Sequence, residues 1–155
     1  MVIDPVGPYK TPVSVLVLIH TPQLQVLLLD RADKPGFWQS VTGSVEGEES
    51  LRQTAEREVM EETGLTAARY NLADWQRSHV YEIYPHWRDR YAPGVTQNTE
   101  HLFGLELPTT LPVTLSPREH LRYEWVDWRT AAQKVFSWTN VEALKMLGQH
   151  YGQTL

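Results

Sequence analysis

The sequence predicts a mixed α/β domain of layered type, and three features predict it. Short β-branched or leucine-rich runs alternate with stretches of helical character. Ser/Thr residues followed three positions later by Gln or Glu mark helix starts. No internal repeat, low-complexity tract or linker interrupts the 155 residues, a length that suits one domain over 1–155.

"VSVLVLI" (13–19) and "VLLLDR" (26–31) read as strands, joined by "HTPQLQ" with its turn proline. "DKPGFWQSVTGSVEGEE" follows as loop, short strand and loop, punctuated by Pro35, Gly36, Gly43 and Gly47. A helix starts at Ser50, which with Gln53 makes a capping box, and Gly64 suits its end. From about 70 to 84 the pattern is strand-like, ending "HVYEIYP". "HWRDRYAPGVTQ" is a long connection with Pro93 and Gly94, and "RYAPGVTQNTE", with that Pro-Gly pair and a basic flank, suits a lid or pocket wall. "NTEHLFGLELP" is a strand, "TTLPVTLSPREHL" a proline-punctuated loop, and "RYEWVDW" a strand. Two helices close the chain, near 129–135 and from a second capping box, Thr139 to Glu142, to about 149.

Apolar residues make up 41% of the chain and charged residues 21%, which argues against the disordered and membrane classes. Without cysteine there is no disulfide framework and no thiolate-held zinc or iron–sulfur site. The longest apolar run, "VLVLI", is too short to cross a bilayer, and "MVIDPVGPYK" lacks the layout of an export signal. A soluble cytoplasmic protein with no membrane partner is expected. Oligomeric state is left open, with a slight lean to a monomer.

Net charge is −5, and seven glutamates against two arginines between Glu46 and Glu62 hold all of that excess. This is a local site for cations; the neutral remainder argues against a nucleic-acid polymer as partner. A charge run is ordinarily a solvated helix face. Here, at about 100° per residue, Leu51, Ala55 and Val59 form the apolar stripe. Glu62 falls within it, Glu58 at its border, Glu61 one step further, while Glu56 and Met60 lie opposite. Carboxylates four apart repel by roughly 0.2–0.5 kcal/mol when exposed, and by more when half buried. A hard multivalent cation such as magnesium reverses that sign; a basic partner segment would do so too.

Gly43, five residues, Glu49, seven residues, then Arg57-Glu58-Val59-Met60-Glu61-Glu62-Thr63-Gly64-Leu65 matches the Nudix box at nine fixed positions over residues 43–65. The chain therefore resembles a Nudix hydrolase. The resemblance implies an α/β/α sandwich with a mixed sheet, a bound magnesium, and water directed onto phosphorus. By position, Glu58 and Glu62 match metal ligands, with Glu61 a third contributor and Gly43 offering its carbonyl. Arg57 matches a structural partner of Glu49. One departure is the loop glycine, which the family commonly places directly before the first fixed glutamate; here it is Gly47, in Glu46-Gly47-Glu48-Glu49.

The box implies reaction class, and stretches outside it imply substrate. "YKTPVSVLVLI", "FWQSVTGSVE", "RYAPGVTQNTE" and "EHLRYEWVD" resemble the folate-pathway branch of the family. That branch hydrolyses dihydroneopterin triphosphate to the monophosphate and pyrophosphate. Glu119 then matches an acid outside the box, as metal ligand, as water-activating base, or both; a loop cap beside Arg118 is the plain alternative. Lys10, Arg31 and Thr42 match positions at the substrate, where two cations suit a polyphosphate. Tyr81, Glu82, Ile83 and Tyr84 match a substrate-side segment, and a carboxylate among aromatics suits a pterin's flat face and donor edge. They also read as an ordinary half-buried strand end. Ser137 matches a further contact, or makes a local turn hydrogen bond.

Trp75, Trp125, Trp128 and Trp138 are expected in core or interface packing. His79, His86, His101 and His120 lack metal-ligand spacing. Two rivals stand beside the pterin reading: a general (d)NTP pyrophosphohydrolase, and a Nudix fold kept as a non-catalytic binding module.

Overall fold

The computed structural model describes residues 9–155; most of the N-terminal stretch read for an export signal lies outside them. Seven strands, β1 (Val13–His20), β2 (Gln25–Arg31), β3 (Trp38–Gln39), β4 (Val41–Ser44), β5 (Asn71–Glu82), β6 (Gln97–Glu106) and β7 (His120–Asp127), join in one mixed sheet. Among the described residues three α-helices accompany them: α1 (Leu51–Thr63), α2 (Trp128–Lys134) and α3 (Trp138–His150). Among the described residues no helix is long and apolar enough to cross a membrane.

β1 is the organising strand. It runs parallel to β6 from Val13↔Thr99 to His20↔Glu106 and antiparallel to β4 from Ser14↔Ser44 to Val17↔Val41. Its near-continuous apolar run follows from burial on both faces. Val15, Val17 and Ile19 pack with Ala55 and Val59 of α1, while Leu16 and Leu18 pack with Trp128, Ala131 and Leu144 of α2 and α3. The layers are therefore helix, sheet, helices.

α1 starts at the capping box, with the Ser50 side chain accepting from Gln53 N–H, and ends at Gly64 in the left-handed region (φ 74°). α3 starts two residues before the position expected from Thr139. Ser137 is its N-cap, accepting from Asn140 N–H at 3.2 Å, and Thr139 is buried inside the first turn. The connection after β5 carries a short 3₁₀ helix, Pro85–Arg90.

Candidate active site

The loop between β4 and α1 is tight because Gly47 takes a left-handed turn (φ 55°), so the displaced glycine still closes it. Glu46 N–H donates to Glu49 Oε1 at 3.0 Å, and Glu49 N–H to Glu46 O at 3.1 Å. Arg57 then ties the loop to the helix. Its guanidinium donates twice to Glu49 (2.7 and 3.0 Å), once to Ser44 O (2.9 Å) and once to Glu58 Oε1 (2.6 Å). The Arg57 hydrogen bonds hold the Glu49 carboxyl down to about 2, against the opposing effect of burial.

Glu58 and Glu62 face inward, at 7% and 2% exposure, while Met60 on the opposite side is 45% exposed. The two acids differ in their partners. Glu58 accepts from Arg57; both Glu62 oxygens are buried without a partner when both acids are ionised. Burial pushes both acids up, Glu62 well above the ordinary value, and the two carboxyls lie close enough to share a proton. His120 Nε2 stands 3.6 Å from Glu62 Oε1. Burial, then the Arg31 charge, holds that imidazole down to about 4, so it is neutral at pH 7 and does not pair with Glu62. Gly43 is required where Glu58 meets the β4 backbone: a Cβ there would stand 2.0 Å from the Glu58 Cδ.

The four box and loop acids are not gathered as one set. Glu61 turns outward to Arg57 (3.3 Å) with its side chain 49% exposed. Glu119 is exposed on the loop before β7 and lines the same pocket as Glu62. Among the described residues no group of three or more His, Asp or Glu side chains stands close enough together to hold an ion as it is. A buried pair of oxygen donors with unpartnered atoms, pressed against a glycine, nevertheless has the chemistry that a hard divalent cation takes.

Two adjoining pockets form one cleft, sharing Lys10, Arg31, Gln39, Thr42 and Arg90. At the charged end stand Glu62, Glu119, His120 and Arg118. At the other end Tyr81, Glu82, Ile83 and Tyr84 stand with Ser137, Trp138 and Phe136. All eight residues singled out for the substrate besides Glu119 (Lys10, Arg31, Thr42, Tyr81, Glu82, Ile83, Tyr84, Ser137) line this second end. Ser137 both caps α3 and lines the cleft.

Arg31 is aimed by its neighbours: Asp33 pairs with it in two-point fashion (2.7 and 2.8 Å), Gln39 Oε1 accepts at 3.0 Å, and its Cζ lies 4.4 Å over the Trp87 ring. Lys10 makes no ion pair among the described residues; burial, then the Arg90 charge, lowers its pKa.

Several cleft residues escape a reading of the sequence. Trp138 is 53% exposed and lines the cleft, so of the core or interface packing expected for it the core half does not hold. Trp128 is buried, and Trp75 and Trp125 pack against the two cores as expected. Trp87 stacks on Tyr84 (5.5 Å, 7°) and meets Phe136 edge-on, a cluster assembled from distant segments. Arg90, Tyr91, Asn98 and Glu100 make "RYAPGVTQNTE" a wall of the cleft. Alternation in β6 places Asn98, Glu100 and Leu102 on one face, and two polar residues there were the available signal.

The NUDIX domain profile matches residues 10–147, and the chain belongs to the Nudix family. Members of that family of hydrolases generally use divalent metal cations. More particularly, the chain is 48% identical over 140 residues to dihydroneopterin triphosphate diphosphatase of Escherichia coli K12, covering 88% of this chain and 92% of that protein. The Haemophilus influenzae protein of the same name is 42% identical, over 88% of this chain and 87% of that one. The solved structure of the E. coli dihydroneopterin triphosphate pyrophosphohydrolase superposes with a TM-score of 0.85 at 47% identity, covering 90% of this chain and 97% of that one.

Proposed function

We propose that this protein is a magnesium-dependent hydrolase that cleaves dihydroneopterin triphosphate into dihydroneopterin monophosphate and pyrophosphate. The two-ended cleft carries the reading: flat aromatic faces at one end, and cations with the buried Glu62 and the exposed Glu119 at the other. Relatives at 48% and 42% identity are named for this reaction.

Glu58 and Glu62 are the proposed holders of magnesium, with the Gly43 carbonyl and Glu119 completing the site; Glu61 joins by leaving Arg57. Bound there, the ion supplies neutralisation of the phosphate charge and Lewis-acid polarisation of the phosphate oxygens. Lys10, Arg31 and Thr42 hold the triphosphate, with Arg31 kept in its orientation by Asp33 and Gln39. Glu119 is steadied by its own N–H on Ser116 O (3.0 Å) and its carbonyl on Ala32 N–H (2.9 Å), and it takes the proton from the attacking water. The α–β phosphoanhydride breaks and pyrophosphate leaves. Glu49 and Arg57 hold the loop against the helix. A monomer in the cytoplasm is the form proposed for this activity.

Phosphorus NMR of the products from dihydroneopterin triphosphate and magnesium, with dATP in parallel, tests the reading. Pyrophosphate released faster from the pterin supports it. Equal or faster release from dATP makes the protein a general nucleotide hydrolase, and release from neither makes it a binding module.

A further inference from the structure

We propose that Glu100, with Asn98 beside it on β6, is the specificity-determining acceptor pair that reads two adjacent N–H donors on the substrate's ring. The inference rests on the cleft being the substrate site. The ring it selects is a 2-amino-4-oxo heterocycle, as in a pterin or a guanine.

Glu100 is 4% exposed, lines the aromatic end, and its Oε1 has no hydrogen-bond partner. Among the described residues no cation pairs with it, and the Thr139 hydroxyl is the group that offsets its burial. Burial holds its pKa up to about 7, so ionising the carboxylate there carries a cost that a donor pair relieves. Asn98 is 1% exposed; its Nδ2 donates to Ser14 Oγ (2.7 Å) and Tyr81 OH (3.1 Å), which leaves Oδ1 as a second buried acceptor without a partner. Neighbours deep in the same cleft are satisfied: Asn140 Oδ1 accepts from Ser40 N–H and Nδ2 donates to Ser40 Oγ. Among the described residues that line the aromatic end, Asn98 Oδ1 and Glu100 Oε1 are the buried acceptors left without a partner. Glu82, the carboxylate that the sequence places among aromatics, is different: it is solvent-facing and engaged by Arg88 (3.6 Å) and Gln97 (3.2 Å).

Two neighbouring oxygen acceptors, Glu100 Oε1 and Asn98 Oδ1, suit two adjacent N–H donors. In a pterin these are N3–H and the 2-amino group; in guanine, N1–H and the 2-amino group. Adenine presents an acceptor nitrogen beside its amino group, so its lone pair would face the Glu100 oxygen. Glutamine at this position offers one acceptor and one donor, which suits the adenine edge.

The test measures kcat/KM of the magnesium-loaded wild type and Glu100→Gln on dihydroneopterin triphosphate, dGTP and dATP. We expect the variant to lose roughly tenfold or more on the first two and to keep or gain on dATP, because buried acceptors built for donors reject rings that lack them. Wild type should also favour dGTP over dITP, which lacks the 2-amino group, by roughly tenfold. Thermal shifts by dGTP, dITP and dATP give the same comparisons without turnover, and wild type alone supplies the dITP result if the variant does not fold. An equal loss on all three substrates, an unchanged dGTP-to-dATP ratio, or equal treatment of dGTP and dITP overturns the inference. A wild type that prefers dGTP to the pterin would sink the pterin reading while leaving the role of Glu100 supported.

Discussion

Glu49 and Glu62 belong to one short motif and are the same residue type, yet the fold treats them oppositely. Glu49 receives four donors, two from Arg57 and one each from Thr54 and the Glu46 N–H, and is held down to about 2. Glu62, more deeply buried, receives none and is pushed well up. A satisfied carboxylate is part of the scaffold. A buried carboxylate without a partner weakens the free protein and stores an interaction for something that arrives later.

Substituting the unsatisfied acid should have the largest effect. Glu62→Gln should lower kcat by roughly 10²–10³-fold, the scale on which one transition-state electrostatic contact acts. Its melting temperature without metal should stay level or rise, because a neutral amide replaces a group that burial disfavours as an anion. Parallel kinetics and calorimetry check both halves; a fall in stability matching the fall in rate would place Glu62 with Glu49.

The pH dependence sharpens the contrast. Glu100 moves from an ordinary 4.5 to about 7 in the fold. Its contribution is fully present below pH 4.5 and is lost as pH rises through 7, about 3 kcal/mol in all. Glu62, also raised, acts with the same sign. Glu49 acts oppositely: its contribution is present above 4.5 and is lost as pH falls through about 2. Urea unfolding of metal-free protein across pH 3–9 should therefore show greatest stability near about pH 5. Glu100→Gln should flatten the alkaline limb and leave the acid limb in place.

Removing the partner of the satisfied acid should do the reverse of Glu62→Gln. Arg57→Ala strands Glu49 and frees Glu58, and with Arg57 partly exposed the loss should be about 2 kcal/mol. A protein of this size would then melt about 4–8 °C lower by calorimetry. The smallest effect is expected from Gly43→Ala, whose Cβ would meet Glu58 Cδ at 2.0 Å. Glu58 must swing aside, so kcat should fall about tenfold while stability changes little.

The helix carrying both acids was legible because its cues are local. Ser50, Gln53 and Gly64 bound it, and the angle between Val59, Glu58 and Glu62 turned the acids inward, as observed. The second capping box failed by two residues because Ser137, Thr139 and Asn140 compete to cap, and only packing decides. In the site, resemblance placed Lys10, Arg31, Thr42, Tyr81 and Ser137, which the fold gathers along one cleft. Glu100 stayed hidden because a carboxylate in an alternating strand ordinarily faces water. Its burial depends on α3 closing over β6, a tertiary event with no local signature. Trp138 lies outside the core for the complementary reason: an indole ordinarily joins a core, and this one follows a capping residue at the cleft's edge.

The most direct test is the melting temperature of wild type and Glu62→Gln as magnesium is added at pH 7. The account predicts a saturable rise for wild type and little or none for the variant, which would start level with or above wild type without metal. An equal magnesium-dependent rise in both proteins would contradict it, and would mean that the ion binds without the acid that the fold leaves unpaired.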